Sequence, residues 1–283
     1  MPTLERTLSS GSSPLISVVM ATLNAEVHLP LSLGSLARQH SRDFEVVLVD
    51  GGSTDLTCGT ALRLLEVANI RHRLICLPGS GIYAALNHGV QAAEGDWIYV
   101  MGADDQLMSA DVFVDLAPSL QSAPPRILVV HGDVWIEDPG YRYGQSWDLP
   151  RFLDRNISHQ SAFYRRRAIE SLGIRYDEKY ALYADWDYNI NLFSRGDFFY
   201  LPLLIASYAC SGASSQRVDQ LFLAEKEWNA RRYFGWRSLL LMPPHRFSMA
   251  AGPAPGLLFR GQLLMNRGYW ALKRLGSRAQ GSS

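Results

Sequence analysis

Four short apolar runs, each followed by a polar stop and a segment of helical period, constrain this 283-residue chain more than any other feature. Leu15-Ile16-Ser17-Val18-Val19-Met20-Ala21 ends at Thr22-Leu23-Asn24, and residues 29–39 then place Leu31, Leu33, Leu36 and Ala37 at roughly helical spacing. Phe44-Glu45-Val46-Val47-Leu48-Val49 stops at Asp50-Gly51-Gly52-Ser53-Thr54-Asp55, ahead of a helix bearing Ala61, Leu62, Leu64, Leu65 and Val67. Residues 73–77 read as a third strand, 82–93 as a third helix and 97–101 as a fourth strand. Short, bulky and β-branched runs suit strands buried on both faces of a parallel sheet. Alternation of strand and helix then requires right-handed crossovers, so the expectation is an α/β fold with a doubly wound, mostly parallel sheet.

The pattern continues with a helix at 112–120, a strand at 127–131 ending at Gly132-Asp133, an antiparallel edge at 142–147, a strand at 158–164, a helix at 185–194 and a strand at 201–208. One large domain therefore spans 15–216. Residues 1–14 are Ser-rich without an apolar core and read as a flexible tail, not a signal peptide. The C-terminal region, 217–283, reads as a helical extension: a helix at 222–233, a loop with Pro243, Pro244, Pro253 and Pro255, and a helix at 257–275. Cys58, Cys76 and Cys210 show no metal-ligand spacing, which points to free thiols in a reducing compartment and to a cytoplasmic protein without zinc or disulfides. No apolar run reaches the roughly 18 residues of a membrane span.

The fourth strand runs straight into Gly102-Ala103-Asp104-Asp105. In open α/β sheets ligands bind beyond the carboxyl ends of the strands, where this acid pair would stand. Adjacent carboxylates resist joint ionisation unless a cation lies between them and a polyanion, which points to Mg²⁺ or Mn²⁺ with a diphosphate. A polar turn is the other reading, since Asp-Asp is common in turns. Thr22, Asp50 and Asp104-Asp105 close three strands along one edge and make one acidic cleft. No Gly-x-Gly-x-x-Gly follows the first strand and no Walker phosphate loop is present, which removes dehydrogenases and ATPases.

Ser17-Val18-Val19-Met20-Ala21-Thr22-Leu23-Asn24, Val49-Asp50-Gly51-Gly52-Ser53-Thr54-Asp55, Gly81-Ile82-Tyr83-Ala84-Ala85-Leu86-Asn87-His88-Gly89 and Gly102-Ala103-Asp104-Asp105 together resemble, in order and spacing, the family 2 glycosyltransferases of GT-A fold. The resemblance covers about residues 15–215 and includes acceptor-side blocks at His131-Gly132-Asp133, Ser158-His159-Gln160-Ser161, Tyr176-Asp177-Glu178-Lys179-Tyr180 and Ala184-Asp185-Trp186-Asp187-Tyr188. It implies that Asp50 contacts the nucleotide base, Asp104 the ribose and Asp105 the metal, with Thr22, Asn24, Gly81 and Asn87 on the nucleotide side. Two places where members often carry Asp are Gly79 and Ala84 here, a departure that bears on the donor sugar and not on the nucleotide.

On the acceptor side the resemblance implies a catalytic base at Asp185, with Asp187 as the alternative, because positions two apart on a helix face opposite ways. An N-cap role for Asp185 stays open. His159, with Gln160 beside it, is either a hydrogen-bonded structural histidine or a diphosphate or metal neighbour, and Trp186 either stacks on a sugar or belongs to the core. Gly212-Ala213-Ser214-Ser215 resembles the loop that closes such sites.

The implied activity is inverting transfer of a sugar from a nucleotide-diphosphate donor, with a lean to a UDP-sugar, onto a hydroxyl acceptor such as a lipid-linked glycan in surface polysaccharide synthesis. Mg²⁺ or Mn²⁺ is the implied cofactor, and no nucleic acid is expected. A non-catalytic nucleotide-sugar or glycan-binding module of a membrane assembly is the alternative. A nucleotidyltransferase would want a Gly-rich basic loop where Ala21-Thr22-Leu23-Asn24 stands.

From Arg217 onward there are 11 Lys and Arg against 3 Asp and Glu, while the preceding residues carry 16 against 24. Arg260, Arg267 and Arg274 recur every seven residues, as a stripe on one helix would. Such a region either docks peripherally on an anionic membrane surface or packs on the domain with its arginines solvated.

Overall fold

The apolar runs become strands where the sequence places them. The computed structural model describes residues 13–137, 140–208 and 218–236, and in it β1 (Ile16–Thr22), β2 (Phe44–Asp50), β3 (Arg71–Cys76) and β4 (Trp97–Val100) form a parallel set in the order β3-β2-β1-β4. Val18 pairs with Val46 and Tyr99, and Thr22 with Asp50, so the polar residues that end the first two strands stand side by side. Every residue of β2 and β4 is buried, which requires cover on both faces. α1 (Leu29–Ala37) and α2 (Thr57–Val67) supply it on one side, where Leu33, Leu36 and Leu65 pack with Val18, Met20, Val46 and Leu48. α3 (Ile82–Ala92) supplies the other, with Tyr83 and Leu86 against Val19, Val47 and Val100. Alternate residues of each strand thus enter different clusters, as the two-residue period requires. A Cβ on Gly89 would collide with the Val19 side chain, so α3 can approach the sheet this closely only with glycine there.

The second half adds β5 (Gln106–Leu107), α4 (Val112–Ser122), β6 (Ile127–Ile136), β7 (Tyr141–Tyr143), α5 (Leu149–Asp154), β8 (Ala162–Arg165), α6 (Arg166–Leu172), α7 (Ala184–Arg195), β9 (Asp197–Tyr208) and α8 (Gln220–Phe234). The sheet runs β3-β2-β1-β4-β8-β6-β9-β5, with β7 hydrogen-bonded to β6. β8 is antiparallel to both β4 and β6, but β6 and β9 are parallel, and most paired residues of the sheet lie in parallel ladders. The expected strand at 158–164 starts late, because His159–Ser161 form a 3₁₀ turn. There the Ser161 amide and hydroxyl both donate to the Ser158 carbonyl, a local bond that competes with the ladder. α8 packs on α7, placing Phe222, Ala230 and Phe234 with Tyr188 and Phe193. The expected helix at 257–275 with its arginine stripe, the proline loop, Gly212-Ala213-Ser214-Ser215, Cys210 and residues 1–12 lie outside the described residues. Among the described residues no helix is long and apolar enough to cross a membrane.

His131, in the middle of β6, is fully buried beside Phe198 and Tyr200, and neither ring nitrogen has a well-formed hydrogen bond among the described residues. Burial pushes its pKa down to about 4, only partly offset by the Gly132 backbone. The unfolded chain protonates this histidine at its ordinary value near 6.5 and so binds the extra proton first as pH falls. Stability from His131 is therefore complete above about pH 6.5 and is lost between there and pH 4. Urea unfolding should show about 2 kcal/mol less from this residue at pH 5 than at pH 7.5, and His131→Leu should flatten that part of the profile. An unchanged pH slope in His131→Leu would show that another group carries it.

Candidate active site

Asp50 ends β2 with its carboxylate enclosed by local donors. Burial would raise its pKa, but the Ser53 hydroxyl at 2.5 Å, the Ser53 and Gly52 amides at 2.8 and 3.0 Å and the Thr22 hydroxyl at 3.2 Å hold it below the usual carboxylate range. The turn that delivers these amides needs φ +103° at Gly52, a conformation open to glycine. Asn24 also adopts a left-handed conformation, with φ 49°, and Asn tolerates it better than most residues. Its side-chain oxygen accepts from the Thr54 amide at 2.9 Å and its backbone N–H donates to the Ser53 hydroxyl at 2.8 Å. Thr22, Asn24 and Asp50 thus form one rigid, ionised corner at the carboxyl edge of the sheet.

Gly81 stands just before α3, as its N-cap. Asn87 is not on this corner. Its Nδ2 donates to the Tyr176 carbonyl and to Glu178, both at 3.0 Å, and its Oδ1 accepts from the Tyr176 amide at 2.9 Å. Both amide donors and one lone pair of the oxygen are thus engaged, and Asn87 clamps α3 to residues 176–178.

At the end of β4, Asp104 is half-buried and Asp105 is 2% exposed. Asp105 accepts from the Gly102 amide at 2.7 Å and from Gln160 Nε2 at 3.3 Å. The Ser158 hydroxyl donates to Gln160 Oε1 at 2.5 Å, which turns the Gln160 amide nitrogen toward Asp105. Burial raises the Asp105 pKa to about 6, against the opposing charge of His159 and the Gly102 amide and with Asp104 repelling it. Among the described residues no three His, Cys, Asp or Glu side chains converge as a metal cage. Mg²⁺ and Mn²⁺ prefer hard oxygen donors, and Mg²⁺ sites commonly use one or two carboxylates plus substrate phosphates, so the acid pair fits such an ion.

Across the cleft, Asp185 is the second residue of α7, after Ala184 and the N-cap Tyr183, so it is not the cap itself. Its side chain is 17% exposed and meets Asn156 Nδ2 at 2.6 Å, the Tyr83 hydroxyl at 3.2 Å and His159 Nδ1 at 3.8 Å. Burial opposes charging of His159, yet Asp185 first, then Asp105 and Asp104, hold its pKa above the ordinary value. His159 therefore stands electrostatically between the acid pair and Asp185.

Asp187 faces the other way. It is 4% exposed and accepts from Asn229 Nδ2 at 2.8 Å and the Tyr233 hydroxyl at 2.6 Å, both on α8, which removes it as the alternative base. Trp186 is likewise turned to α8: its indole N–H donates to the Phe152 carbonyl, Phe222 packs at 5.2 Å and Lys226 lies over the ring at 4.3 Å. Trp186 is thus half-buried at the edge of the core cluster. Tyr83 and Asn156 were not singled out from the sequence; Tyr83 lies inside the glycine-isoleucine-tyrosine block, but Asn156 sits in a polar loop with no periodicity to mark it.

The family model described as Glycosyl transferase family 2 matches residues 17–174. A PGL/p-HBAD biosynthesis glycosyltransferase of Mycobacterium tuberculosis is 40% identical over 226 residues, 78% of this chain and 87% of the relative, and one of Mycobacterium bovis matches to the same extent. Among solved structures, Staphylococcus aureus TarS 1-349 in complex with UDP-GlcNAc is similar with a TM-score of 0.62 at 18% identity, over 77% of this chain and 71% of that one. The mannosyltransferase PcManGT from Pyrobaculum calidifontis, in complex with GDP-Man and Mn²⁺, gives a TM-score of 0.57 at 18% identity over 94% and 72%. At such identities the structural likeness speaks for the fold alone.

Proposed function

This chain belongs to glycosyl transferase family 2 and has the GT-A fold, and from that premise we propose that it moves a sugar from a nucleotide-diphosphate donor to a hydroxyl acceptor in one inverting displacement. The observation that carries the reading is the meeting of Asp50, the Asp104-Asp105 pair, His159 and Asp185 at one sheet edge, with Asp185 alone of the two α7 acids turned toward His159 and Asp187 turned away. Asp50, ionised and rigid, orients the base. Asp105, with Asp104 beside it, would hold Mg²⁺ or Mn²⁺, which when bound supplies positive charge to the leaving diphosphate. His159, which Asp185, Asp105 and Asp104 bias toward its protonated form, faces the same group. The acceptor oxygen forms its bond to the anomeric carbon while the carbon–oxygen bond to the diphosphate breaks and its electron pair leaves with the nucleotide. Asp185 takes the acceptor proton.

A UDP-sugar is the preferred donor in this reading, and a lipid-linked glycan the acceptor. The relatives' description as PGL/p-HBAD biosynthesis glycosyltransferases and the basic composition after Arg217 support a membrane-presented acceptor. A thermal-shift screen of UDP- and GDP-sugars with and without Mn²⁺ tests the donor side. One nucleotide sugar at a hundred times its dissociation constant should add about 2.7 kcal/mol of stability, and more with the metal than without. If no nucleotide sugar shifts the transition in Mn²⁺, the proposal fails. NMR of the product anomer then reads the inversion.

A further inference from the structure

Asp219 precedes α8 and its carboxylate has two duties. Oδ1 accepts from the Phe222 amide at 3.1 Å and caps α8, while Oδ2 accepts from the Leu182 amide at 3.0 Å. Burial opposes its ionisation, but the amides of Leu182, Phe222, Ala181 and Tyr183 together hold it below the usual carboxylate range. One buried anion thereby straps residues 181–183, the segment that leads into α7. The Leu182 carbonyl in turn accepts from the Tyr83 hydroxyl, and that same hydroxyl lies 3.2 Å from Asp185 Oδ1. Tyr83 is buried in α3 and stacked on Tyr176 with ring centroids 5.6 Å apart, so it cannot step aside. Further along α8, Asn229 and Tyr233 hold Asp187, and Asn229 also donates to the Tyr180 hydroxyl at 2.6 Å.

We infer that Asp219 is a positioning residue for Asp185, acting through the Leu182 carbonyl and the Tyr83 hydroxyl, and that α8 therefore belongs to the acceptor side of the active site. The inference rests on Asp185 being the base. A tyrosine hydroxyl has one proton to give. With the Leu182 carbonyl in place the hydroxyl is held where its proton is shared between that carbonyl and Asp185 Oδ1, which keeps the carboxylate oriented toward the acceptor. When the carbonyl is displaced the hydroxyl loses its anchor, and Asp185 is less fixed, as it also is when the hydroxyl is removed.

Asp219→Ser keeps a cap for α8 but is too short to reach Leu182, whereas Asp219→Asn keeps one oxygen and presents an amide to the Leu182 N–H. Turnover is read as release of nucleoside diphosphate from the nucleotide sugar selected by the thermal-shift screen, with octyl glycosides as acceptors. Both variants should lose about tenfold in kcat with donor KM within twofold of wild type. Tyr83→Phe should lose a similar factor, and Asp219→Ser/Tyr83→Phe should be no worse than Tyr83→Phe alone, because both act through one hydroxyl. Multiplying losses, or a wild-type kcat in Asp219→Ser, would overturn the inference. If neither Asp219 variant folds, Tyr83→Phe decides, since a wild-type kcat there breaks the chain. Asp185→Asn separates the two failures: if it is active the base reading falls, and if it is inactive while Asp219→Ser is unimpaired only the positioning role falls.

Discussion

Asp185→Asn is expected to lower turnover by about 10²- to 10⁴-fold while donor binding stays nearly intact, the usual worth of a general base. The substitution removes the proton acceptor with almost no change of shape. Its neighbours tolerate the amide: Asn156 can still donate to the remaining oxygen, and the Tyr83 hydroxyl already has the Leu182 carbonyl as partner. Neither capping nor packing depends on the charge, because Tyr183 holds the N-cap position and the carboxylate remains 17% exposed. Steady-state kinetics over a donor series, with the thermal-shift response as the binding readout, checks both halves. A matching loss in donor affinity would show that Asp185 serves the donor rather than the acceptor. The companion Asp187→Asn should act differently, by weakening the Asn229 and Tyr233 contacts of α8 and so lowering the melting temperature.

Asp105→Asn is expected to abolish the Mn²⁺ dependence of donor binding and, at the same time, to stabilise the free protein. Both follow from one fact. Burial has lifted the Asp105 pKa to about 6, so at neutral pH the folded protein holds a charge that the unfolded chain ionises more easily, near 3.8. The sign is the reverse of the histidine case: between those values the folded state binds the extra proton, and stability falls as pH rises toward 6. A neutral amide escapes that penalty, worth up to about 3 kcal/mol above pH 6, so the variant should melt higher while losing the metal response. Carboxylates conserve charge at a cost to stability where function needs it. Asp104→Asn should be milder, near the roughly 0.5–1.5 kcal/mol of one hydrogen bond. Wild-type Mn²⁺ dependence in Asp105→Asn would remove the metal assignment, and a lowered melting temperature would mean that the Gly102 and Gln160 bonds outweigh the buried charge.

The sequence by itself determined the elements that rest on local periodicity and local bonds. Continuous apolar runs marked β1, β2 and β4, helical spacing marked α1, α2 and α3, and the polar stops placed Thr22, Asp50 and Asp104-Asp105 at strand ends along one edge. The Asp50 turn is likewise mostly local, since all its donors but the Thr22 hydroxyl come from Gly52 and Ser53. A two-residue separation on a helix was enough to say that Asp185 and Asp187 face apart.

Tertiary structure alone decided which of them faces the cleft, because that depends on where α8 lies, and α8 is far away in sequence. It also decided that Trp186 packs on Phe222 and that Asn87 clamps Tyr176. The Tyr83–Asp185 and Asn156–Asp185 contacts join segments that meet only after the crossovers are closed. Periodicity reports which face of an element is buried; it carries no information about which distant donor will be waiting there, because that is set by the packing of whole helices against the sheet.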